Sequence, residues 1–354
     1  VFEGTYPELL KSSTATGQFL GASLPFKENV RSVEKCFLAP RTKTFSPKNV
    51  EKVLSDSASE NTFHLRGACL HNLQNVDVDI PLGVFGVVAG VAGSGKSSLM
   101  ECFREAWGRD GIVYISQKNI GVSLRSTPAT YMDVAGDIRK AFAKAHRLKE
   151  DNFTFNGKGG CPVCGGKGVI VSEMAFMDSI ETVCEACGGL RYAPEVLKYT
   201  LRDLNIAQVM DLSVRRASEF FAGTVIEQKL RPLVDVGLQY LHLNQALSTL
   251  SGGELQRLKL ASYLGEERKI FIIDEPTDGL HTKDVRHILK LFDSLVERGN
   301  TVWLIEHNTD VIRSADYVIE LGPGAGENGG RIIFCGPPSE MPHTTASVTG
   351  PYLL

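Results

Sequence analysis

No stretch of the 354 residues offers the roughly 20 uncharged apolar positions that a membrane-spanning helix requires. The opening Val1-Phe2-Glu3-Gly4 also lacks the basic start and apolar core of a secretory signal. Charge of one sign is missing too: 38 Lys and Arg stand against 41 Asp and Glu, a formal net charge of -3. Neither a basic nucleic-acid arm nor an acidic tail is encoded, so any nucleic-acid contact must be local. Aromatics are sparse at 8%, yet 43% hydrophobic against 22% charged residues excludes a disordered chain. The length suits about two to three domains. A cytoplasmic protein with no membrane partner is expected. Cysteine is scarce as well, and the 8 present are unevenly used. Cys161, Cys164, Cys184 and Cys187 form two C-x-x-C pairs, whereas Cys36, Cys69, Cys102 and Cys335 are scattered. In reducing surroundings paired thiols point to metal ligation rather than disulfides.

The two ends echo one another. Phe2-Glu3-Gly4-Thr5-Tyr6-Pro7-Glu8, followed by Thr16-Gly17-Gln18-Phe19-Leu20, parallels Phe334-Cys335-Gly336-Pro337-Pro338-Ser339-Glu340, followed by Thr349-Gly350-Pro351-Tyr352-Leu353. The expectation is a chain that starts in the tail of a preceding, similar module; the other reading is a chance match of a short Gly/Pro pattern. Residues 21-60 mix charges with turn formers and read as a linker. From Thr62 the pattern changes to β-type runs: Thr62 to Cys69, Val76 to Ile80 with alternating aspartates, and Val84 to Ala89.

That last run leads into Gly90-Val91-Ala92-Gly93-Ser94-Gly95-Lys96-Ser97, a G-x-x-x-x-G-K-[ST] sequence, and Ser98 to Trp107 can continue as a helix. A strand, a glycine-rich loop and a helix in this order make a phosphate cradle. The glycines at 90, 93 and 95 let successive N–H groups converge, Lys96 reaches the outer phosphates of ATP, and Ser97 can ligate Mg²⁺. The bland alternative is a structural glycine turn. Further on, Leu250-Ser251-Gly252-Gly253-Glu254-Leu255-Gln256-Arg257 precedes a helical stretch, and Ile270 to Asp274 is a β-branched strand that runs into Glu275. Asp274 is placed to hold Mg²⁺ through water, and Glu275 to orient or deprotonate an attacking water. A second buried strand, Thr301 to Ile305, ends at Glu306-His307, whose imidazole could hydrogen-bond a γ-phosphate.

These motifs together resemble the ATP-binding cassette (ABC) ATPases: the P-loop, Gln117 after the strand Ile112 to Ile115, the Leu-Ser-Gly-Gly-Glu signature, the Asp-Glu pair, Asp278-Gly279-Leu280-His281 as D-loop and His307 as switch histidine. The resemblance implies an α/β fold, an ABC-type P-loop NTPase with a helical signature lobe. Gln117, Glu275 and His307 would be catalytic. Gly90, Gly93, Ser94, Gly95, Lys96, Ser97, Ser98 and Asp274 would bind nucleotide and Mg²⁺. Two cassettes meet head to tail in that family, so Ser251, Gly252 and Gly253 would complete the site of a second cassette, in tandem or as a dimer.

Between Gln117 and Leu250 lie 132 residues, more than a compact helical lobe needs. Inside them the two C-x-x-C pairs, separated by nineteen residues and followed by glycines, have the spacing of a four-thiolate structural zinc ribbon with Cys161, Cys164, Cys184 and Cys187 as ligands. A cassette carrying such an inserted four-cysteine module resembles the second half of the UvrA family, the damage-recognition ATPases of bacterial nucleotide excision repair. Supporting segments are Gly67-Ala68-Cys69-Leu70-His71-Asn72-Leu73, Arg125-Ser126-Thr127-Pro128-Ala129-Thr130-Tyr131, Phe153-Thr154-Phe155-Asn156, Arg191-Tyr192, Leu233-Val234-Asp235-Val236-Gly237-Leu238 and Leu321-Gly322-Pro323-Gly324-Ala325-Gly326. The resemblance implies ATP-dependent binding of double-stranded, damaged DNA, and a UvrB-type helicase partner reached through the missing first half. Two departures, Ser116 before Gln117 where the family usually has an acidic residue and Ser123-Leu124 where it has Thr-Pro, fit a diverged paralogue, for which antibiotic self-resistance is the alternative role.

The expected organisation is therefore a preceding tail (1-20), a linker (21-60), a first core part (61-118), an inserted helical and zinc-binding DNA-contact region (119-245), the signature helix with the Walker B core (246-342) and a C-terminal tail (343-354). Within 119-170, Arg125, Arg139, Lys140, Lys144, Arg147, Lys149, Lys158 and Lys167 face four acidic residues, a local basic excess. It reads equally as a DNA-phosphate contact or as a solvated helix face. Phe176 and Met177 could probe distorted duplex or simply pack beneath the ribbon.

Overall fold

The computed structural model describes residues 24–27, 61–116, 126–174 and 177–354. The chain divides into two compact units, Val1–Asn119 with Tyr263–Leu354 and, interposed in sequence, Ile120–Ser262. In the first, β1 (Thr62–Ala68) pairs antiparallel with β2 (Val76–Pro81), β3 (Phe85–Ala89) leads through the glycine loop into α1 (Lys96–Trp107), and β4 (Ile112–Ile115) follows. The second unit carries α2 (Pro128–Tyr131), α3 (Val134–His146), the hairpin β5 (Val169–Met174) and β6 (Met177–Val183), the short pair β7 (Thr200–Leu201) and β8 (Leu204–Asn205), then α4 (Ile206–Met210), α5 (Val214–Phe220), α6 (Val225–Asp235) and α7 (Gly252–Tyr263), which ends at the boundary. The first unit resumes with β9 (Ile270–Asp274), α8 (Thr282–Glu297), β10 (Thr301–Ile305), α9 (Thr309–Arg313), β11 (Tyr317–Gly322) and β12 (Arg331–Gly336).

Six strands form one sheet in the order β12-β11-β3-β10-β9-β4. All neighbours are parallel except β12, which closes one edge antiparallel to β11. Strands covered on both faces need continuous apolar sequence, and β3, β10 and β11 are buried at every position. Trp303 on β10 is fully buried, and a Cβ at Gly86 on β3 would meet its indole at 2.7 Å, so glycine is what lets the ring lie across the neighbouring strand. One face is packed by α1 through Leu99, Met100 and Phe103. Helix α8 buries Val285, Ile288, Leu289, Phe292, Leu295 and Val296, a helical-period stripe. Because the strands are parallel, the loops after β3, β9, β10 and β11 all leave from one edge, where ligand sites of such sheets form.

Two segments outside the motifs are tied to this sheet. Lys27 pairs with Asp293 at 2.5 Å and with the fully buried Asp316 at 2.9 Å. Glu320, fully buried on β11, accepts hydrogen bonds from Ser347 Oγ at 2.6 Å and Thr349 N at 2.7 Å, which fixes the residues after β12.

In the second unit α3 buries Val134, Ala135, Ile138, Phe142 and Ala143, and it ends where Arg147 turns left-handed. Lys229 of α6 clamps it through Asp133 at 3.0 Å and Asp137 at 2.7 Å. The ends of the cysteine segment are joined by Cys161 N to Arg191 O at 2.9 Å, and the residues after it are tied back by Ala193 N to Gly159 O at 3.0 Å. Phe155 packs edge-on against Tyr192 and lies under the Arg191 guanidinium. A Cβ at Gly166 would fall 1.8 Å from Phe155 O, so this glycine is fixed by close backbone approach.

Candidate nucleotide site and cysteine cluster

The loop after β3 takes left-handed or otherwise glycine-only conformations at Gly90, Gly93 and Gly95, with φ of +131°, +75° and +105°. Gly95 is followed directly by α1, so the first N–H groups of that helix face the loop's concavity. Lys96 is 9% exposed and donates to Gly90 O at 2.8 Å and Val91 O at 3.0 Å, which arches its ammonium over the loop. Burial lowers its pKa from the usual lysine value, while Glu275, Asp274 and Glu306 oppose that by raising it. The amine and these carboxylates therefore share one electrostatic field. Ser97 is exposed and Ser98 half-buried. Ser94 is fully buried, with no hydrogen-bond partner for its hydroxyl.

Strand β9 ends at the half-buried Asp274, and Glu275 follows with φ +47°, an uncommon conformation for a residue with a side chain. Its N–H is held by Ile305 O at 2.9 Å, at the end of the adjacent strand β10. His307, exposed beyond that strand, places Nδ1 3.6 Å from Glu275 Oε1. Between the two lies a residue that the motif reading passed over. Glu306 is 1% exposed and accepts four hydrogen bonds: from Thr277 N at 3.2 Å, Thr277 Oγ1 at 2.5 Å, His307 N at 3.0 Å and Asn308 N at 3.3 Å. One buried carboxylate thus joins the loop that follows Glu275 to the loop that carries His307. The only sequence signal for it is a carboxylate directly after an apolar, fully buried strand. This arrangement can bind a phosphate chain, hold a divalent cation at Ser97 and Asp274, and direct a water from Glu275.

The signature segment lies in the second unit. Ser251 and Glu254 cap α7 reciprocally: Ser251 N donates to Glu254 Oε2 at 2.8 Å, Ser251 Oγ donates to the same oxygen at 2.9 Å, and Glu254 N donates to Ser251 Oγ at 3.3 Å. Tyr240 OH donates to Glu254 Oε1 at 2.5 Å. Burial alone would raise the Glu254 carboxyl, but the Tyr240 and Ser251 donors hold it below its usual range. Ser251 and Gly252 are exposed and Gly253 is half-buried, so this helix start is open to solvent.

Cys161, Cys164, Cys184 and Cys187 are all buried, and their sulfurs lie within 4.8 Å of one another. The Cys161–Cys184 and Cys164–Cys187 separations are 4.0 and 3.7 Å. Tetrahedral thiolates at a Zn–S distance of about 2.3 Å would be spaced by about 3.8 Å. Gly168 N donates to Cys164 Sγ at 3.2 Å, the kind of backbone donor that supports a thiolate ligand. The donor set and its spacing fit a closed four-sulfur metal site.

The sequence profile of the ABC transporter family matches residues 73–278. Across 84% of this chain the sequence is 44% identical to UvrABC system protein A of Staphylococcus aureus (strain COL), and across 83% it is 44% identical to the protein of the same name from Staphylococcus epidermidis. The crystal structure of UvrA2 from Deinococcus radiodurans covers 85% of the chain with a TM-score of 0.75 and 38% identity. The chain belongs to the UvrA family. It spans 35% of the length of the staphylococcal relatives and 41% of the Deinococcus chain.

Within this UvrA-family chain the structure brings together Lys96, Asp274, Glu275 and His307 at one sheet edge. It assigns Ser251, Gly252 and Gly253 to the other unit and gathers the four cysteines into one cluster. Gln117, Arg125, Phe176 and residues 1–23 lie outside the described residues. The basic residues do not form a patch free of acids. Lys140, Lys144, Arg147 and Lys149 line an open cavity of about 790 Å³ together with Glu150 and Asp151. Lys140 also pairs with Asp137 at 3.3 Å. Of the eight, Arg139, Lys140 and Lys144 lie on α3, where Lys140 and Lys144 are exposed and off its buried stripe. Among the described residues no helix is long and apolar enough to cross a membrane.

Proposed function

We propose that this chain is the ATPase half of a UvrA-type, DNA-binding damage-recognition protein of the cytoplasm, and that it hydrolyses ATP only when a second cassette completes its site. What carries the reading is the meeting of Lys96, Asp274, Glu275 and His307 at the edge of a parallel sheet in a chain that also holds a buried four-cysteine cluster. The loop N–H groups and Lys96 bind the β- and γ-phosphates of ATP. Mg²⁺, held by Ser97 and by Asp274 through water, would offset phosphate charge. Glu275 accepts the proton of a water whose oxygen bonds to the γ-phosphorus as the bridging P–O bond breaks and ADP departs. His307 hydrogen-bonds the γ-phosphate. Ser251, Gly252 and Gly253 cap the nucleotide of the partner cassette with an exposed helix N-terminus suited to an anion.

Zinc is the metal that the four-thiolate cluster suits, in a structural role, since no ligand position is left open. The basic surface of α3 would supply salt-sensitive, sequence-independent attraction to duplex phosphates, and a UvrB-type helicase would be engaged through the rest of the protein. The test is a salt titration of binding to damaged, undamaged and drug-modified duplex by the protein paired with its second cassette. Preference for damaged duplex with a steep salt slope is expected. No duplex binding would refute the repair reading, and preference for the drug-modified duplex alone would replace it with self-resistance.

A further inference from the structure

Two segments singled out in the sequence have no part in the chemistry above, Asn72 with its neighbours and the glycine-rich stretch after β11, and they meet on the outer side of the phosphate-binding loop. Asn72 Nδ2 donates to Gly93 O at 2.9 Å and to Gly326 O at 3.3 Å, so both of its amide protons face carbonyls and its orientation is fixed. Gly326 N also donates to Gly93 O at 3.1 Å, and Gly330 N donates to Ser94 O at 2.9 Å. Gln74 fastens the stretch from behind: its N–H donates to Gly330 O at 2.8 Å, and its Nε2 donates to Glu327 O at 2.8 Å and Gly329 O at 3.0 Å. Arg331 Nε in turn donates to Gln74 Oε1 at 2.7 Å.

The glycines are there because the backbones nearly touch. A Cβ at Gly330, where φ is +72°, would fall 1.9 Å from Asn72 O, and one at Gly329 would fall 2.5 Å from Gly324 O. A Cβ on the other side, at Gly90, would fall 2.1 Å from Leu321 O. These contacts act on peptide planes. In a trans peptide the C=O and the next N–H point in opposite directions. Holding Ser94 O outward through Gly330 therefore turns Gly95 N–H toward the concave side, where the motif gathers its donors for phosphate. Gly93 O, held by Asn72 and Gly326, fixes the preceding plane, whose Ser94 N–H donates to Val91 O at 3.2 Å.

We propose that Asn72 and the stretch 322–330 form a brace that sets the phosphate-binding loop in its binding shape before nucleotide arrives, with Asn72 and Gly330 as positioning residues for the triphosphate. The proposal rests on reading that loop as an ATP site. Without the brace the loop must be ordered by the ligand itself, which weakens affinity. Because the brace acts on the phosphate cradle alone, its loss should be felt equally by a ligand with no base or sugar.

The experiment measures affinity of the chain for MgATP and for Mg-tripolyphosphate in the wild type, Asn72→Ala, Asn72→Asp and Gly330→Ala, with melting temperatures alongside. Asn72→Ala removes two donors and is expected to weaken both ligands by about tenfold. Asn72→Asp keeps the shape but turns an acceptor toward two carbonyls, so it should weaken both ligands more than Asn72→Ala does, with melting within a few degrees of wild type. Affinities of Asn72→Asp and Gly330→Ala within twofold of wild type would overturn the brace, as would a loss confined to MgATP or one matched by a collapse in melting temperature. A wild-type chain that binds neither ligand, like its Lys96→Ala control, would overturn the ATP-site reading itself.

Discussion

At the scale of single residues the site is built from charges that are useful only because others hold them. Glu275 sits in an uncommon backbone conformation, pinned by Ile305, and the buried Glu306 ties its loop to His307. Replacing Glu275 by Gln is expected to preserve ATP binding while slowing hydrolysis by about 10²- to 10⁴-fold, the usual contribution of a positioned base. Glu306→Gln keeps the volume but turns an amide donor toward N–H groups. Hydrogen bonds to a charged acceptor are worth about 1.5–3 kcal/mol each. A fall in kcat of about ten- to a hundredfold with little change in KM for ATP is therefore expected, measured beside Glu275→Gln in the paired protein. An unchanged kcat would reduce Glu306 to a space-filling role. His307 was legible because motif order pointed to it. Glu306 was not, since its partners Thr277 and Asn308 gain meaning only when β9 and β10 lie side by side.

At the scale of elements, local pattern carried far. The strands β4, β9 and β10 coincide with apolar runs, and the helix after the P-loop ends at Trp107 as its pattern suggested. Parallel strands advertise themselves through unbroken hydrophobic sequence. The cysteine cluster was equally legible, because C-x-x-C places two sulfurs on one turn whatever surrounds it. What the sequence hid was long-range: the Lys229 clamp on α3, the Tyr240 hydroxyl on the signature cap and the Glu320 lock, each joining polar residues far apart in the chain. The cysteine element yields its own expectation. About one zinc per chain should be found by elemental analysis and lost in Cys161→Ser or Cys184→Ser, with selective loss of amide protection around 155–193, the segment that holds the cysteines and the mutually packed Phe155, Arg191 and Tyr192. Structural zinc in small modules contributes about 10–16 kcal/mol of apparent binding energy. A folded, fully protected segment without metal would speak against zinc.

At the scale of the whole molecule the exposed start of α7 is the informative surface. Ser251 and Glu254 pair with one another there, and the exposed helix start at Ser251 and Gly252 is the surface that a nucleotide on another cassette would meet under the shared-site proposal. Hydrolysis by the isolated chain should therefore rise more steeply than linearly with protein concentration. A turnover per chain that stays constant over a hundredfold dilution is the result that removes the shared-site proposal.

The first unit is split in sequence, with β4 and β9 as neighbours across the whole of Ile120–Ser262. A chain emerging from the ribosome has its interposed unit complete while β3 and β4 still wait for the strands between them. Buried Glu320 gains its donors later still, when Ser347 and Thr349 arrive. The insert is thus expected to fold first and the nucleotide sheet last. Translation arrested soon after Ser262 would leave a protease-resistant insert beside open, aggregation-prone strands, and limited proteolysis of such stalled chains would reveal whether that order holds.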